Sequence, residues 1–410
     1  MKLSVRSRLQ LQPGYQVAAW AAVFALLLVS RSAYSQPSAA TPPQIRFEQG
    51  LQLLLDHDYA AAAQVFEQLY AATGSERVRL EWARAAYLSQ DYDKAQALFK
   101  DVLATAPPLP VREKINVFLE DISLAQGRVD YSFSLVRDSN PRAIPGVRTF
   151  NLFGLPFEYK PQFDTSPKWG INYRLLASKG IDPSRRWIAS AGLLGTHYGD
   201  PAMNKAGFDA HMAYRLGFEP RIELKVSHES MDTGGEPLHR YTWLTGLHVI
   251  ENQAGWRWSN ELRHGVIEYP IYEYQNSTLS NYRLVAEKAL AAFFIAGVEL
   301  GWDTGRAKEQ AYSYSGNSIG LTGTYYASSI GTKFQMKGSS STRQHAAPDP
   351  FFEIRRKDRR RNITLNIEPS TLRIGGLTPV LELGYEKNNS TLPLSNYNRV
   401  IVSMSFKRSY

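Results

Sequence analysis

The sequence contains no cysteine. That excludes disulfides, thiolate metal ligands, a cysteine nucleophile and a lipidated cysteine, so the protein is not itself a lipoprotein. After residue 35 there is also no apolar run approaching the roughly 18 residues a membrane-spanning helix needs. Charge of one sign is scarce as well. The formal net charge is +9, from 47 basic and 38 acidic side chains, and it falls to +5 once Lys2, Arg6, Arg8 and Arg31 are set aside with a removable leader. That is too mild a balance to argue for a nucleic-acid partner. Metal-binding HExxH, a glycine-rich phosphate loop and a GxSxG elbow are missing and the eight His are scattered, so no metal, no cofactor and no enzyme activity is expected.

Aromatic residues, by contrast, are plentiful: 23 Tyr, 18 Phe and 8 Trp, in a chain whose mean hydropathy is only −0.33. Strands with one oily and one wet face account for that combination better than a buried core does. The leader itself is legible. Lys2, Arg6 and Arg8 precede a 13-residue apolar core, Val17–Val29, and Ala33-Tyr34-Ser35 offers small residues for cleavage. This pattern predicts a signal peptide over residues 1–35 and an exported mature protein.

From 46 to 126 the apolar period is helical. Asp58-Tyr59 opens a helix carrying Ala62, Phe66 and Leu69, and the same spacing returns 33 residues later as Asp91-Tyr92, Ala95, Phe99 and Val102, with Pro107 and Pro108 as terminators. A small Ala that lets helices approach and a Phe that fills the groove beside it make a helix-pair repeat, close to the period of about 34 residues of tetratricopeptide repeats. Tyr59, Ala62, Phe66, Tyr92, Ala95 and Phe99 are its signature positions. Val111, Ile115, Phe118, Leu119 and Ile122 form one face of an amphipathic helix that caps the second repeat. Residues 36–127 are therefore expected to be a helical domain whose concave face binds peptide or protein.

After Arg128 the period becomes two. Phe208, Ala210, Met212, Tyr214 and Leu216 oppose Asp209, His211 and Arg215, while Ile222, Leu224 and Val226 oppose Glu223, Lys225 and Ser227. The pattern recurs around Val298–Trp302, Ile363–Ile367 and Leu381–Tyr385, and ends in Val400, Val402, Met404 and Phe406, with the chain stopping on Tyr410. Strands of about ten residues with one apolar face, repeated in series, are the signature of an outer-membrane barrel. Short connectors are expected at 217–220, 251–255, 287–291 and 327–331, and long polar loops at 229–240, 268–278, 303–316 and 338–361. Thirteen strands count back to Trp169; both ends of the barrel must lie on the helical side, so Arg128–Arg137 becomes the fourteenth and pairs with the last. Residues 139–168 are left as one long outer or infolded loop, although Phe150–Tyr159 could pass for a strand.

The fold class expected for 128–410 is thus a fourteen-stranded antiparallel outer-membrane β-barrel following tetratricopeptide-like helical repeats. On this register Arg215, Lys225, Arg257, Arg263, Glu223, Glu261 and Glu299 point into the lumen, together with Arg174, Arg283, Lys333, Lys337, Asp209 and Glu382. Mixed signs suit a gated pore or a protein conduit better than a filter for one charged solute, although such charges also pair to hold a barrel's shape. The basic run Arg355, Arg356, Lys357, Arg359, Arg360 and Arg361, broken by Asp358, falls in the expected 338–361 loop; it is either a solvated loop or a contact for lipopolysaccharide phosphates, which guanidinium groups suit.

The first strand ends in Asp138-Ser139-Asn140, just downstream of helical repeats closing with Pro107-Pro108-Leu109-Pro110-Val111-Arg112 and Phe118-Leu119. That order of repeat block, Asp-Ser-Asn turn and fourteen-stranded barrel resembles the Slam family, the surface lipoprotein assembly modulators of type XI secretion. The resemblance implies an outer-membrane translocon that moves a surface lipoprotein, or a related soluble haem- or metal-scavenging protein, from the periplasm to the cell surface of a Gram-negative cell. It implies that periplasmic repeats engage the client, that the barrel contacts outer-membrane lipid and lipopolysaccharide, and that the barrel-assembly machinery inserts it. Two features depart from the family pattern: only two repeats are clear, and Arg408 interrupts the apolar parity of the closing strand. An exopolysaccharide exporter, which also joins helical repeats to a barrel, would favour a longer repeat array and a lumen of one charge sign. A simple diffusion porin would leave the helical block without a use.

Overall fold

The computed structural model describes residues 42–407 apart from 106, 162–163, 218–220, 253 and 370–371. The expected leader, Arg408 and Tyr410 lie outside the described residues. The chain divides between Ser89 and Gln90 into two compact units.

The first unit is α-helical, with α1 (Pro42–Leu55), α2 (Tyr59–Thr73) and α3 (Glu76–Leu88). Asp58 caps α2 by accepting a hydrogen bond from the Ala61 N–H at 3.2 Å, which satisfies one of the orphan donors at the helix start. Ala62 and Phe66 are fully buried and form the core with Leu54, Leu69, Val78 and Ala85. The Phe66 ring meets Phe47 edge-on at 5.7 Å, and a Cβ on Gly50 would come within 2.7 Å of the same ring. Glycine at 50 is what lets α1 settle this close to the phenylalanine.

The second unit begins with α4 (Tyr92–Ala104) and α5 (Leu109–Gln126). Asp91 caps α4 through the Lys94 N–H at 3.3 Å, repeating the Asp58 device 33 residues on. Ala95 and Phe99 are again fully buried, and Phe99 stacks on Phe118 of α5 at 5.1 Å. Ile115, Leu119 and Ile122 bury the other part of α5. At Gly127 the backbone takes φ +90, a conformation glycine adopts without a Cβ penalty, and the helix turns directly into the first strand.

The strands that follow are numbered in chain order. Two short ones, β2 (Thr149–Leu152) and β3 (Leu155–Glu158), pair only with each other. Fourteen close the barrel: β1 (Arg128–Asp138), β4 (Lys168–Gly180), β5 (Trp187–Tyr198), β6 (Lys205–Leu216), β7 (Arg221–Thr233), β8 (Glu236–Glu251), β9 (Trp256–Glu268), β10 (Ser277–Ala291), β11 (Phe294–Ala307), β12 (Tyr314–Ala327), β13 (Thr332–Pro348), β14 (Arg355–Pro369), β15 (Thr378–Ser390) and β16 (Tyr397–Lys407). Each pairs antiparallel with its sequence neighbour in the barrel, and β16 returns to β1. Closure leaves no open edge, which is the condition for strands to sit in lipid. Val129, Tyr131, Phe133 and Leu135 of β1 are exposed on the outer face, as are Val400, Val402 and Met404 of β16, and the Phe133 and Phe406 rings stack at 4.9 Å across the seam.

The strands are longer than their apolar stretches. Segments 229–240, 303–316 and 338–361, expected as loops, are mostly strand: β7 passes to β8 through Gly234-Gly235 alone, and β13 and β14 leave only residues 349–354 between them. Residues 287–291, expected as a turn, belong to β10. The cause is that ladder hydrogen bonds continue where the barrel rises past its apolar band, while both faces there are polar and the alternation vanishes. The basic run therefore lies on β14 rather than in a loop.

Residues 139–167 are not one plain loop either, since they contain the β2–β3 hairpin. Its Phe150 and Phe153 rings meet Phe352 and Phe351 of the β13–β14 connection at 5.6 and 6.5 Å. Four other connections at that rim share one device, a single 3-10 turn whose following Asn or Ser caps the preceding strand. The Tyr198, Tyr269 and Ser390 N–H groups donate to Asn204, Asn276 and Asn396 at 2.7, 2.6 and 2.8 Å, and Ala307 N–H donates to Ser313 at 2.9 Å.

Candidate functional site

Strand parity decides which side chains meet the lumen, because successive residues point to opposite faces. Opposite the exposed apolar positions stand Arg215, Lys225, Arg257, Arg263, Glu223, Glu261 and Glu299, with Arg174, Asp209, Arg283, Lys333, Lys337 and Glu382. Many of these charges are neutralised by a neighbour on the same wall. Arg174 pairs with Asp209 at 3.0 Å, Arg263 with Glu261 at 2.9 Å, and Glu299 holds both Arg283 at 3.1 Å and Lys337 at 2.7 Å. Lys333 pairs with Glu368 at 2.5 Å. Among the described residues the wall is polar with both signs and presents no belt of a single charge.

One end of the lumen carries α5. Asp121, only 2% exposed, accepts a hydrogen bond from Arg185 Nε at 2.6 Å, and Arg185 Nη1 donates to the Tyr92 hydroxyl at 2.6 Å. Arg185 stands in the β4–β5 turn at φ +51, a left-handed conformation costly for a non-glycine residue. In the same turn the Ser184 hydroxyl, followed by the Trp187 and Arg186 N–H groups, holds the Asp182 carboxyl below its usual range. The neighbouring Glu120 reaches Arg215 at 3.5 Å, and Arg215 and Arg221 converge on Glu223 at 3.4 and 2.6 Å. Leu124 packs with Ile188 and Ala213, which are inward residues of β5 and β6, so the end of α5 sits against the inner wall at this mouth. Tyr92, a repeat signature position, thus serves the barrel as well as the helix pair.

At the opposite rim the Asp138-Ser139-Asn140 turn fastens the first strand to the last. Ser139 N–H donates to Val400 O at 3.0 Å, and its hydroxyl accepts from Val400 N–H at 2.8 Å. Asn140 Nδ2 donates to Asn398 O at 3.1 Å and Ile144 O at 2.9 Å, while its Oδ1 accepts from Ile144 N–H at 2.7 Å. Asp138, 4% exposed, accepts from Asn140 N–H at 2.8 Å and lies 3.9 Å from Arg399. The remaining signature positions, Tyr59, Ala62 and Phe66, belong to the first unit, and Ala95 and Phe99 to the core between α4 and α5.

Below that rim the inner wall holds a cavity of about 580 Å³ lined by Tyr241, Tyr269, Tyr314, Arg343 and Asp358, among others. Arg343 lies over the Tyr314 ring at 4.0 Å and pairs with Asp303 at 2.6 Å. Tyr312, in the β11–β12 connection, has its phenol pushed up to about 12 by burial and then by its hydrogen bond with Tyr274. Among the described residues there is no cluster of three or more His, Cys, Asp or Glu able to hold a metal ion. Sequence reading misses Glu120, Asp121 and Arg185, whose partners lie 64 to 95 residues away. It also misses Arg343, because the polar stretch around it has the composition of a loop.

A closed antiparallel barrel with an apolar exterior band belongs in an outer membrane. Residues 128–410 match the family described as surface lipoprotein assembly modifier. The chain is 22% identical over 365 residues to the surface lipoprotein assembly modifier of Pasteurella multocida (strain Pm70), covering 81% of this chain and 69% of that protein. It is also 22% identical over 390 residues to surface lipoprotein assembly modifier 1 of Neisseria meningitidis serogroup B, covering 89% and 75%. Among solved structures, a loop-deleted OmpT of Vibrio cholerae covers 68% of this chain and 99% of its own at TM-score 0.37 and 8% identity. OpdK of Pseudomonas aeruginosa covers 70% and 100% at TM-score 0.38 and 11% identity. Neither structural likeness bears on function. The sequence match over the entire barrel does: the chain belongs to the surface lipoprotein assembly modifier family.

Proposed function

We propose that this protein is an outer-membrane translocon that moves a surface lipoprotein, or a related soluble scavenging protein, from the periplasm to the cell surface. The relatives bear the name surface lipoprotein assembly modifier, and the match runs the length of the barrel. On this reading the mouth that carries α5 faces the periplasm, the helical repeats of residues 36–127 engage the client there, and the rim bearing Asp138-Ser139-Asn140 faces outside. The chain acts as a conduit rather than as an enzyme, in contact with outer-membrane lipid and lipopolysaccharide, and is inserted by the barrel-assembly machinery.

The observation that carries the reading is the lumen: wide enough in fourteen strands to exceed its own side chains, lined by paired charges of both signs, and held at one mouth by a helix. A wall that carries both signs offers no single-sign track for a polyanionic sugar to follow, which disfavours an exopolysaccharide exporter. The test is deletion of residues 42–89 in cells that carry a client lipoprotein. The barrel is expected to stay heat-modifiable in the outer membrane while client display falls by an order of magnitude or more; undiminished display would remove the role given to the repeats.

A further inference from the structure

Placing the basic run on β14 splits it into two faces. Arg356, Asp358 and Arg360 point to the lumen, where Arg356 pairs with Asp358 at 2.9 Å. Arg355, Lys357, Arg359 and Arg361 share the outward parity of Ile363, Leu365 and Ile367, and all four cations are exposed. They form a single outward row that begins where the apolar band of the same strand ends. At i,i+2 spacing the row runs about 20 Å along the strand.

The surroundings add to the charge instead of cancelling it. Lys387 of β15 stands directly opposite Arg361, an outward pair of like charges. Such a cross-strand pair is unfavourable in the absence of a counter-ion. The outward positions of β13 beside the row are Ser340, Thr342 and Gln344, those of β15 include Asn389, and that of β16 beside Lys387 is Asn398. Among the described residues, the outward faces of β13, β14, β15 and β16 hold five cations and no carboxylate. Elsewhere on the same rim an outward cation does have its opposite, since Arg240 of β8 faces Glu268 of β9.

We infer that this row is a binding site for the phosphates of lipopolysaccharide in the outer leaflet. The ligand must be anionic, must be anchored at the level where acyl chains give way to polar headgroup, and must present more than one charge to span the row. Lipid A meets all three conditions, with two phosphates at the junction of its acyl chains and sugars. Guanidinium forks take phosphate oxygens in pairs, and the hydroxyl of Ser340, opposite Arg361, can donate alongside. The inference rests on the outward orientation proposed above for this rim.

The test uses the full chain refolded in detergent free of lipopolysaccharide and measures binding of diphosphoryl lipid A, dephosphorylated lipid A, phosphatidylglycerol vesicles and inorganic phosphate. Lipid A is expected to bind at least tenfold more tightly than its dephosphorylated form, the phosphatidylglycerol vesicles or free phosphate. The combined Arg355→Gln, Lys357→Gln, Arg359→Gln, Arg361→Gln variant is expected to lose that preference while remaining heat-modifiable. Equal binding of lipid A and its dephosphorylated form by the unaltered chain would overturn the site without recourse to any variant. So would equal binding of lipid A and phosphatidylglycerol, or a folded variant that binds as the parent does. Client display reports separately: a chain that binds lipid A and displays no client keeps the phosphate site and loses the translocon reading.

Discussion

Ser139 continues the barrel seam beyond the last regular pair of β1 and β16, exchanging two hydrogen bonds with the backbone of Val400: its N–H donates to Val400 O at 3.0 Å and its hydroxyl accepts from Val400 N–H at 2.8 Å. A side chain here supplies the acceptor that a strand carbonyl supplies elsewhere. Asn140 extends the fastening to Asn398 at 3.1 Å. The seam is where the first and last strands meet, so its far end is held by the side chains of this one turn.

Ser139→Ala keeps the backbone and removes one acceptor, and should lower stability by about 1 kcal/mol; Asn140→Ala removes three side-chain bonds and should cost about 2–3 kcal/mol. The check is the temperature at which the heat-modifiable band is lost in a gel shift. Equal midpoints for parent and both variants would mean the turn does not bear on closure.

Asp121→Ala leaves Arg185 without its carboxylate in a site where Asp121 is 2% exposed. Removing one member of a buried pair costs about 3–5 kcal/mol, enough to undock the end of α5 from the wall. Planar-bilayer recordings should show larger and steadier conductance than the parent. A parent channel already open, large and steady would favour a diffusion porin instead.

Glu299→Gln takes the shared carboxylate away from both Arg283 and Lys337 on the lumen wall. The local balance moves by one positive charge, so the reversal potential in a salt gradient should shift toward anion preference. The same substitution at Glu268, on the outward face, should leave selectivity unchanged.

Phe66→Ala empties a fully buried site against Phe47 and should destabilise the first unit by about 3–5 kcal/mol. Limited proteolysis should then cut within residues 42–89 while the barrel stays resistant. The corresponding change at Phe99 acts in the other unit, since its ring stacks on Phe118 beside the barrel mouth.

The repeat is legible because both of its parts are local: Asp-Tyr caps a helix in sequence, and Ala and Phe four apart lie on one face. The barrel and its count are legible because parity and a common side for both ends constrain the answer strongly. Strand ends are not. Arg343 alternates with Thr342 and Gln344, and Asp358 with Lys357 and Arg359, so the oily face that marks a strand is missing and the stretch resembles a loop. The hold of Arg185 on Asp121 is illegible for a different reason. It depends on a helix 64 residues upstream meeting a turn that only closure of the barrel brings near.

The most direct measurement of the central claim is protease accessibility of a client lipoprotein on intact cells, with and without this chain. The client should be cleaved from outside only when the chain is present, and should remain protected, though made and acylated normally, when it is absent. Equal cleavage in both strains would contradict a role in surface display.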